Sequence, residues 1–302
     1  MTTASTSRPA SRPIGAVGLV VIGLVCQDVG ASLAVLLFPT TGALGMVALR
    51  LGFSAIVLLA VARPRLRGHS SNDWLTVIAF GVALAGMNAL FYEAIARIPL
   101  GATVTIEVLG PLVLSVVMSR RAVSWLWAVL ALVGVVLLGQ GSFGSLDPLG
   151  LVFAFSAAAA WAGYILLSAR TGGRFPRLDG LAIAMTIGAI LALPLGIASA
   201  GPAIFRPDIL LLGAAVAMLS STIPYALELV ALRRLPSATF SILMSLSPAI
   251  ATIAGLLLLG QKLTVVGMVA IALVIAASIG AVRTASRTPG GDTLPNPVDE
   301  LG

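Results

Sequence analysis

Stretches of about 20 consecutive apolar residues, the length of helix that crosses about 30 Å of hydrocarbon, recur along this chain from near residue 14 to near residue 283. Lipid offers a backbone no hydrogen-bond partner, so each stretch has to satisfy its own N–H and C=O groups as a helix. Ten spans can be marked, at about 14–37, 41–62, 74–96, 101–119, 123–140, 148–168, 179–200, 208–232, 236–259 and 263–283. Charged residues make up only 10% of the chain, against about 25% in soluble domains. The expected fold class is therefore an all-α membrane protein with ten transmembrane helices. Residues 1–13 read as a cytoplasmic N-terminal segment. Residues 284–302 are rich in Pro, Gly and polar groups with nothing to bury, and read as a disordered cytoplasmic tail.

Arginine sets the expected orientation. Fourteen arginines (8, 12, 63, 65, 67, 120, 121, 170, 174, 177, 233, 234, 283 and 287) fall on one side of the ten spans, and only Arg97, Arg206 and Lys262 on the other. Cytoplasmic loops carry the excess of basic residues, so both termini are expected in the cytoplasm. The net charge of +7 is then a topology signal, and nucleic acid is not an expected partner. Arg8 and Arg12 ahead of an apolar run resemble a signal peptide, but the run exceeds 20 residues and lacks an A-x-A site, so it reads as an uncleaved first span.

A shift of 137 residues superimposes parts of the chain. Arg97, Pro99 and Pro111 fall on Arg234, Pro236 and Pro248, and Leu75, Ala89, Leu90, Ala94 and Leu109 also meet their like, eight identities in 37 positions. Spans one to five (14–140) and six to ten (148–283) are thus expected to be two repeats. Five spans per repeat is an odd number, so the second enters the membrane inverted, as in secondary transporters with a solute site near the midplane.

Polar groups at membrane depth cost about 2.5–3.5 kcal/mol even on the most lenient scale, and mark solute or proton pathways. Asp28, Arg50, Glu107 and Glu228 are the charged candidates. Pro111 and Pro248 each lie near the middle of an expected span, where proline frees the carbonyl four residues back, of Glu107 and Met244 respectively. These breaks either face a central cavity or are packing kinks. Burial favours the protonated form of a carboxylate and a nearby cation the ionised form, which makes Glu107 the candidate proton-coupling group; the alternative is a permanent salt bridge to Arg50. Arg50 presents a planar fork suited to a carboxylate, from a neighbouring helix or from a solute. Asp28 lies at similar depth, so two acids compete for one arginine, and Asp28 is the second candidate for proton coupling.

Asn88 and Tyr92, four apart on the third span, share a face, as do Tyr225 and Glu228 on the eighth and Trp161 and Tyr164 on the sixth. All are candidate substrate contacts, with packing as the alternative for the aromatic pair. Glu228 sits near the cytoplasmic end, within reach of headgroups or Arg233. Glu93 is expected to pair with Arg97 as a structural ion pair. One cysteine, Cys26, and one histidine, His69, leave no disulfide framework and no multi-cysteine metal site. Neither HExxH, nor GxSxG, nor a nucleophile with a base is present, so no enzyme, metal or cofactor is expected.

GMN at 86–88, IPLG at 98–101 followed by Glu107 and Gly110-Pro111, and PYALE through RLP at 224–236 are the specific motifs in a likeness that spans residues 14 to 283. They resemble the threonine and homoserine exporter branch of the EamA group in the drug/metabolite transporter superfamily. The resemblance implies a ten-helix exporter of the bacterial inner membrane, two inverted EamA repeats moving small amino acids outward; with the reading of Glu107 above, protons are the expected coupling partner, in an antiport. Ser247 and Gln261 stand where members often carry Glu, and Asp28 where an uncharged residue is expected, departures that bear on the solute. A multidrug or nucleoside-type exporter of the same fold is the alternative.

Overall fold

The computed structural model describes residues 13–119, 122–139, 146–176, 178–224, 227, 231 and 243–286. Every regular element among them is helical: α1 Pro13–Ala62, α2 Ser71–Ile95, α3 Leu100–Glu107, α4 Leu109–Ser119, α5 Ala122–Gly139, α6 Pro148–Gly172, α7 Asp179–Ala200, α8 Pro207–Ala217, α9 Ser247–Leu259 and α10 Val265–Ser286. Short 3-10 and π segments, Gly201–Phe205 and Met218–Thr222, lie on either side of α8. Six helical segments are long and apolar enough to cross a membrane, and Val123–Leu137, Pro207–Thr222 and Ser247–Leu259 are shorter apolar helices. The chain is a multi-pass membrane protein.

The first apolar segment, Val17–Ala62, has 46 residues, about 69 Å of helix at 1.5 Å per residue and enough to cross about 30 Å of hydrocarbon twice. Its backbone leaves helical geometry only at Gly42, with φ 66° and ψ 168°. That φ is readily available to glycine alone, and the Ser199 hydroxyl fills the space a Cβ would take. The break divides α1 into an N-terminal arm, residues 13–41, and a C-terminal arm, residues 43–62. The sequence places this boundary at 38–40, beside Pro39; the structure moves it to Gly42 because Pro39 keeps a φ that a helix accepts.

Caps fix where other helices start. Ser70 and Asp73 form a reciprocal capping box at α2, and the Asp147 carboxylate accepts from the Leu149 and Gly150 N–H groups ahead of Pro148 at α6. Lipid tails are as apolar as leucine, so helices in a bilayer associate through close packing of small residues. A Cβ at Gly110 would collide with the Ala158 carbonyl of α6, and one at Gly101 with Thr252 of α9. Gly45 and Ala48 of α1 meet Ala200 and Gly196 of α7 in the same way. The largest buried cluster lies where α1, α2, α3, α7, α8 and α9 converge, and the large apolar side chains of α5, α7 and α9 are left on the outside, where lipid belongs.

The loops gather at two opposite ends. At one, the Arg65 N–H donates to Asp179, Arg174 pairs with Asp73, and the His69 and Phe175 rings stack at 4.3 Å. At the other, Arg97 pairs with Glu93 and lies 3.9 Å from Asp147, and the Leu100 N–H donates to Gln261.

Candidate functional site

A local departure from helical geometry builds one wall of the site. α8 runs as a regular helix to Ala217 and then opens into the π turn Met218–Thr222, where the Ile223 N–H reaches back five residues to the Met218 carbonyl. Pro224 has no N–H to return to the carbonyl of Ser220, four residues back. That carbonyl instead accepts from Arg50 Nη2 at 2.9 Å, while the Ser221 hydroxyl accepts from Arg50 Nε at 2.8 Å. Arg50, on the C-terminal arm of α1, is only 7% exposed, and its Cζ sits 5.4 Å from the centre of the Tyr92 ring, where the aromatic face attracts a cation. Single-turn π bulges inside helices are frequent at functional sites.

The N-terminal arm of α1 closes against the same turn. A Cβ on Gly30 would lie 2.8 Å from the Ser220 nitrogen, so only a bare backbone fits there. Two residues earlier, Asp28 is 2% exposed and its Oδ2 has no hydrogen-bond partner. The nearby Ser32 hydroxyl donates to the Asp28 main-chain carbonyl and so leaves the carboxylate without it.

Glu107 is half-buried and is the last residue of α3. The helix is interrupted at Val108 and resumes as α4, with Pro111 inside its first turn. Pro111 cannot donate to the Glu107 carbonyl, so the sequence-expected break is present, displaced three residues ahead of the proline itself. Asp28 and Glu107 are close enough to feel each other's charge, as are Glu107 and Arg50.

Three readings that the sequence left open meet the structure as follows. Among the described residues, neither Asp28 nor Glu107 forms an ion pair with Arg50; the guanidinium takes a hydroxyl and a carbonyl of α8 instead. At Pro248 residues 243–244 are helical, 245–246 turn and α9 resumes at Ser247, so the helix breaks just ahead of this proline as it does ahead of Pro111, and the proline sits in a first turn whose N–H groups have no intrahelical partner to lose. Trp161 and Tyr164 are half-buried on α6 and pack into hydrophobic clusters, with Tyr164 at 5.1 Å from the Phe80 ring.

Asn88 and Tyr92 share a face of α2 and both are buried. The Asn88 amide donates to the Leu84 carbonyl of its own helix at 2.8 Å, and the Tyr92 hydroxyl has no partner. Glu93 pairs with Arg97 as expected. Tyr225 and Glu228 lie outside the described residues. Among the described residues no three His, Cys, Asp or Glu side chains cluster as metal ligands.

Ser220, Ser221 and Pro224 were not among the expected site residues, yet the two serines hold Arg50, the one buried arginine among the described residues, and Pro224 leaves the Ser220 carbonyl open to it. The signal was present: three consecutive hydroxyl residues, Ser220 to Thr222, interrupt an apolar run and precede a proline.

Comparison with known proteins adds to this geometry. The EamA-like transporter family matches residues 148–283. A protein of Salmonella typhimurium strain LT2 named threonine/homoserine exporter RhtA is 41% identical over 263 residues, 86% of this chain and 88% of that protein. Its namesake in Escherichia coli strain K12 is 39% identical over 269 residues, 88% of this chain and 90% of the other. A solved crystal structure with 21% sequence identity superimposes with a TM-score of 0.57, over 89% of this chain and 96% of that one.

Proposed function

The chain belongs to the EamA-like transporter family, beside the threonine/homoserine exporters, and from that premise we propose that it exports small amino acids of the threonine and homoserine kind by alternating access. It is a transporter and not an enzyme, as its named relatives are. The observation that carries the solute class is Arg50. A buried guanidinium, aimed by two hydrogen bonds to α8 and one aromatic face, is the group best shaped to take a carboxylate.

In this reading the two halves of the chain are inverted five-helix repeats, both termini are cytoplasmic, and the membrane is the bacterial inner membrane. Reciprocal packing supports the repeat: α2 lies on α6 as the N-terminal arm of α1 lies on the stretch after α8, at Leu219, Ser220, Pro224 and Leu227, and α3 meets α9 as α5 meets α10. A family match confined to residues 148–283 also fits a unit of half the chain. The arginines at 63, 65, 67, 170 and 174 share one end, which is assigned to the cytoplasm.

Glu107 carries the coupling proton. Its place at the α3 break, within electrostatic reach of Arg50, makes its charge depend on what the arginine holds. Asp28, Asn88 and Tyr92 complete the surroundings among the described residues, and Tyr225, Trp161 and Tyr164 stay candidate contacts from the sequence.

Counterflow of labelled threonine and homoserine into proteoliposomes tests the reading. Accumulation that unlabelled amino acids compete away is expected. Competition that instead follows the lipophilicity of unrelated drugs, with amino acids inert, would replace it with the drug-exporter reading.

A further inference from the structure

We infer that Asp28 recognises the ammonium group of the solute, so that the site reads both charged ends of an α-amino acid and rejects carboxylates that lack the amine. This rests on the assignment of Arg50 to the solute carboxylate, and extends it to a residue with its own evidence.

A carboxylate at membrane depth with an orphan oxygen is an incomplete arrangement. Leaving a buried charged acceptor unsatisfied is costly, and Asp28 is 2% exposed with Oδ2 unpartnered. Ser32 donates to a main-chain carbonyl of its own helix, Asn88 to Leu84, Ser220 to Val216, and Arg50 directs Nε and Nη2 to Ser221 and Ser220. The hydroxyls of Tyr92 and Thr222 are buried and unpartnered like Oδ2 itself, and neither bonds the carboxylate. A primary ammonium offers three N–H donors and the full positive charge that a buried carboxylate lacks here.

Charge balance points the same way. Asp28 lies two residues before Gly30, whose backbone packs on Ser220, and the Ser220 carbonyl accepts from Arg50, so carboxylate and guanidinium flank the same turn. An α-amino acid carries the complement of each, an ammonium and a carboxylate, on one carbon. A solute with ammonium and carboxylate on one carbon neutralises both at once. A solute with a carboxylate alone leaves Asp28 buried, charged and unpaired, which is the arrangement that rejects an analogue most strongly.

The test compares threonine with its deaminated analogue, in which hydroxyl replaces the α-ammonium, by isothermal calorimetry on the purified full-length protein. The wild type is expected to bind threonine at least about tenfold more tightly than the analogue. Asp28→Asn is expected to lose most of that preference and Asp28→Glu to retain it in part. Thermal stability is read on each variant. Equal binding of the two ligands by the wild type overturns the inference, and does so without any variant. Undiminished preference in a folded Asp28→Asn protein also overturns it. Should the wild type bind neither ligand, the amino-acid reading fails and takes this inference with it; should it bind threonine with Asp28 immaterial, the inference fails alone.

Discussion

The Arg50 guanidinium is buried in the core, and its chemistry decides what substitution can keep. Arg50 uses Nε and Nη2 in a fixed fork on Ser221 and Ser220; lysine keeps the charge but presents a point ammonium on a flexible stem. Arg50→Lys is expected to weaken threonine binding by about 1.5–3 kcal/mol, the worth of a hydrogen bond to a charged group, as measured by calorimetry on protein whose thermal transition is unchanged. Unaltered affinity would leave Arg50 a purely structural role. Glu107 separates differently. Glu107→Gln imitates the permanently protonated acid, so export driven by a pH gradient should be abolished while solute exchange down its own gradient persists. Full pH-driven accumulation by that variant would remove Glu107 from coupling. Arg50 was legible in the sequence because a charge inside an apolar run has no other explanation. Its serine partners were not, since hydroxyls are common in membrane helices and the contact joins residues 171 positions apart.

At the level of elements, irregular backbone does the positioning. The π turn at Met218–Thr222 exists beside Pro224, and the open Ser220 carbonyl is what Arg50 grips. Pro224→Ala restores an N–H to that carbonyl. In an interior helical position proline costs about 3 kcal/mol relative to alanine, so the variant should unfold no more easily in detergent, yet lose about tenfold in threonine affinity as Arg50 loses one anchor. A fall in stability with affinity intact would mean that the turn serves only packing. Helix positions could be read from apolar run lengths, and the α3/α4 break from Pro111. The break in α1 depended on tertiary detail. Gly42 rather than Pro39 divides α1 because the Ser199 hydroxyl occupies the space of its missing side chain, a contact between residues far apart in sequence. The break at 245–246 was legible from Pro248 in the way that the α3/α4 break was from Pro111.

For the whole molecule, the arrangement of loops at two ends gives a direct check of orientation. Single cysteines at Gly68 and Gly173, in a Cys26→Ala background, should react with an impermeant thiol reagent only from the cytoplasmic side, and one at Lys262 only from outside. Labelling of all three from the same side would overturn the inverted repeat.

The ion pairs at the two ends share a further property, because they tie the same two helices. Asp73 in the first turn of α2 meets Arg174, just past the end of α6, while Asp147 at the start of α6 meets Arg97, just past the end of α2. Joined at both tips, with Phe80 against Tyr164 along their length, these antiparallel rods are expected to move as one. Sliding is then expected at the seam where the N-terminal arm of α1 crosses the stretch after α8, with Gly23 against Pro224 and Leu227 and Gly30 against Leu219 and Ser220. A disulfide engineered across α2 and α6 should therefore leave counterflow running, whereas one across Gly23 and Leu227 should stop it until reductant is added. On the proposed alternating access, α2 with α6 is the fixed jaw and the N-terminal arm of α1 the moving one, and the carboxylate of Asp28 rides on the jaw that moves.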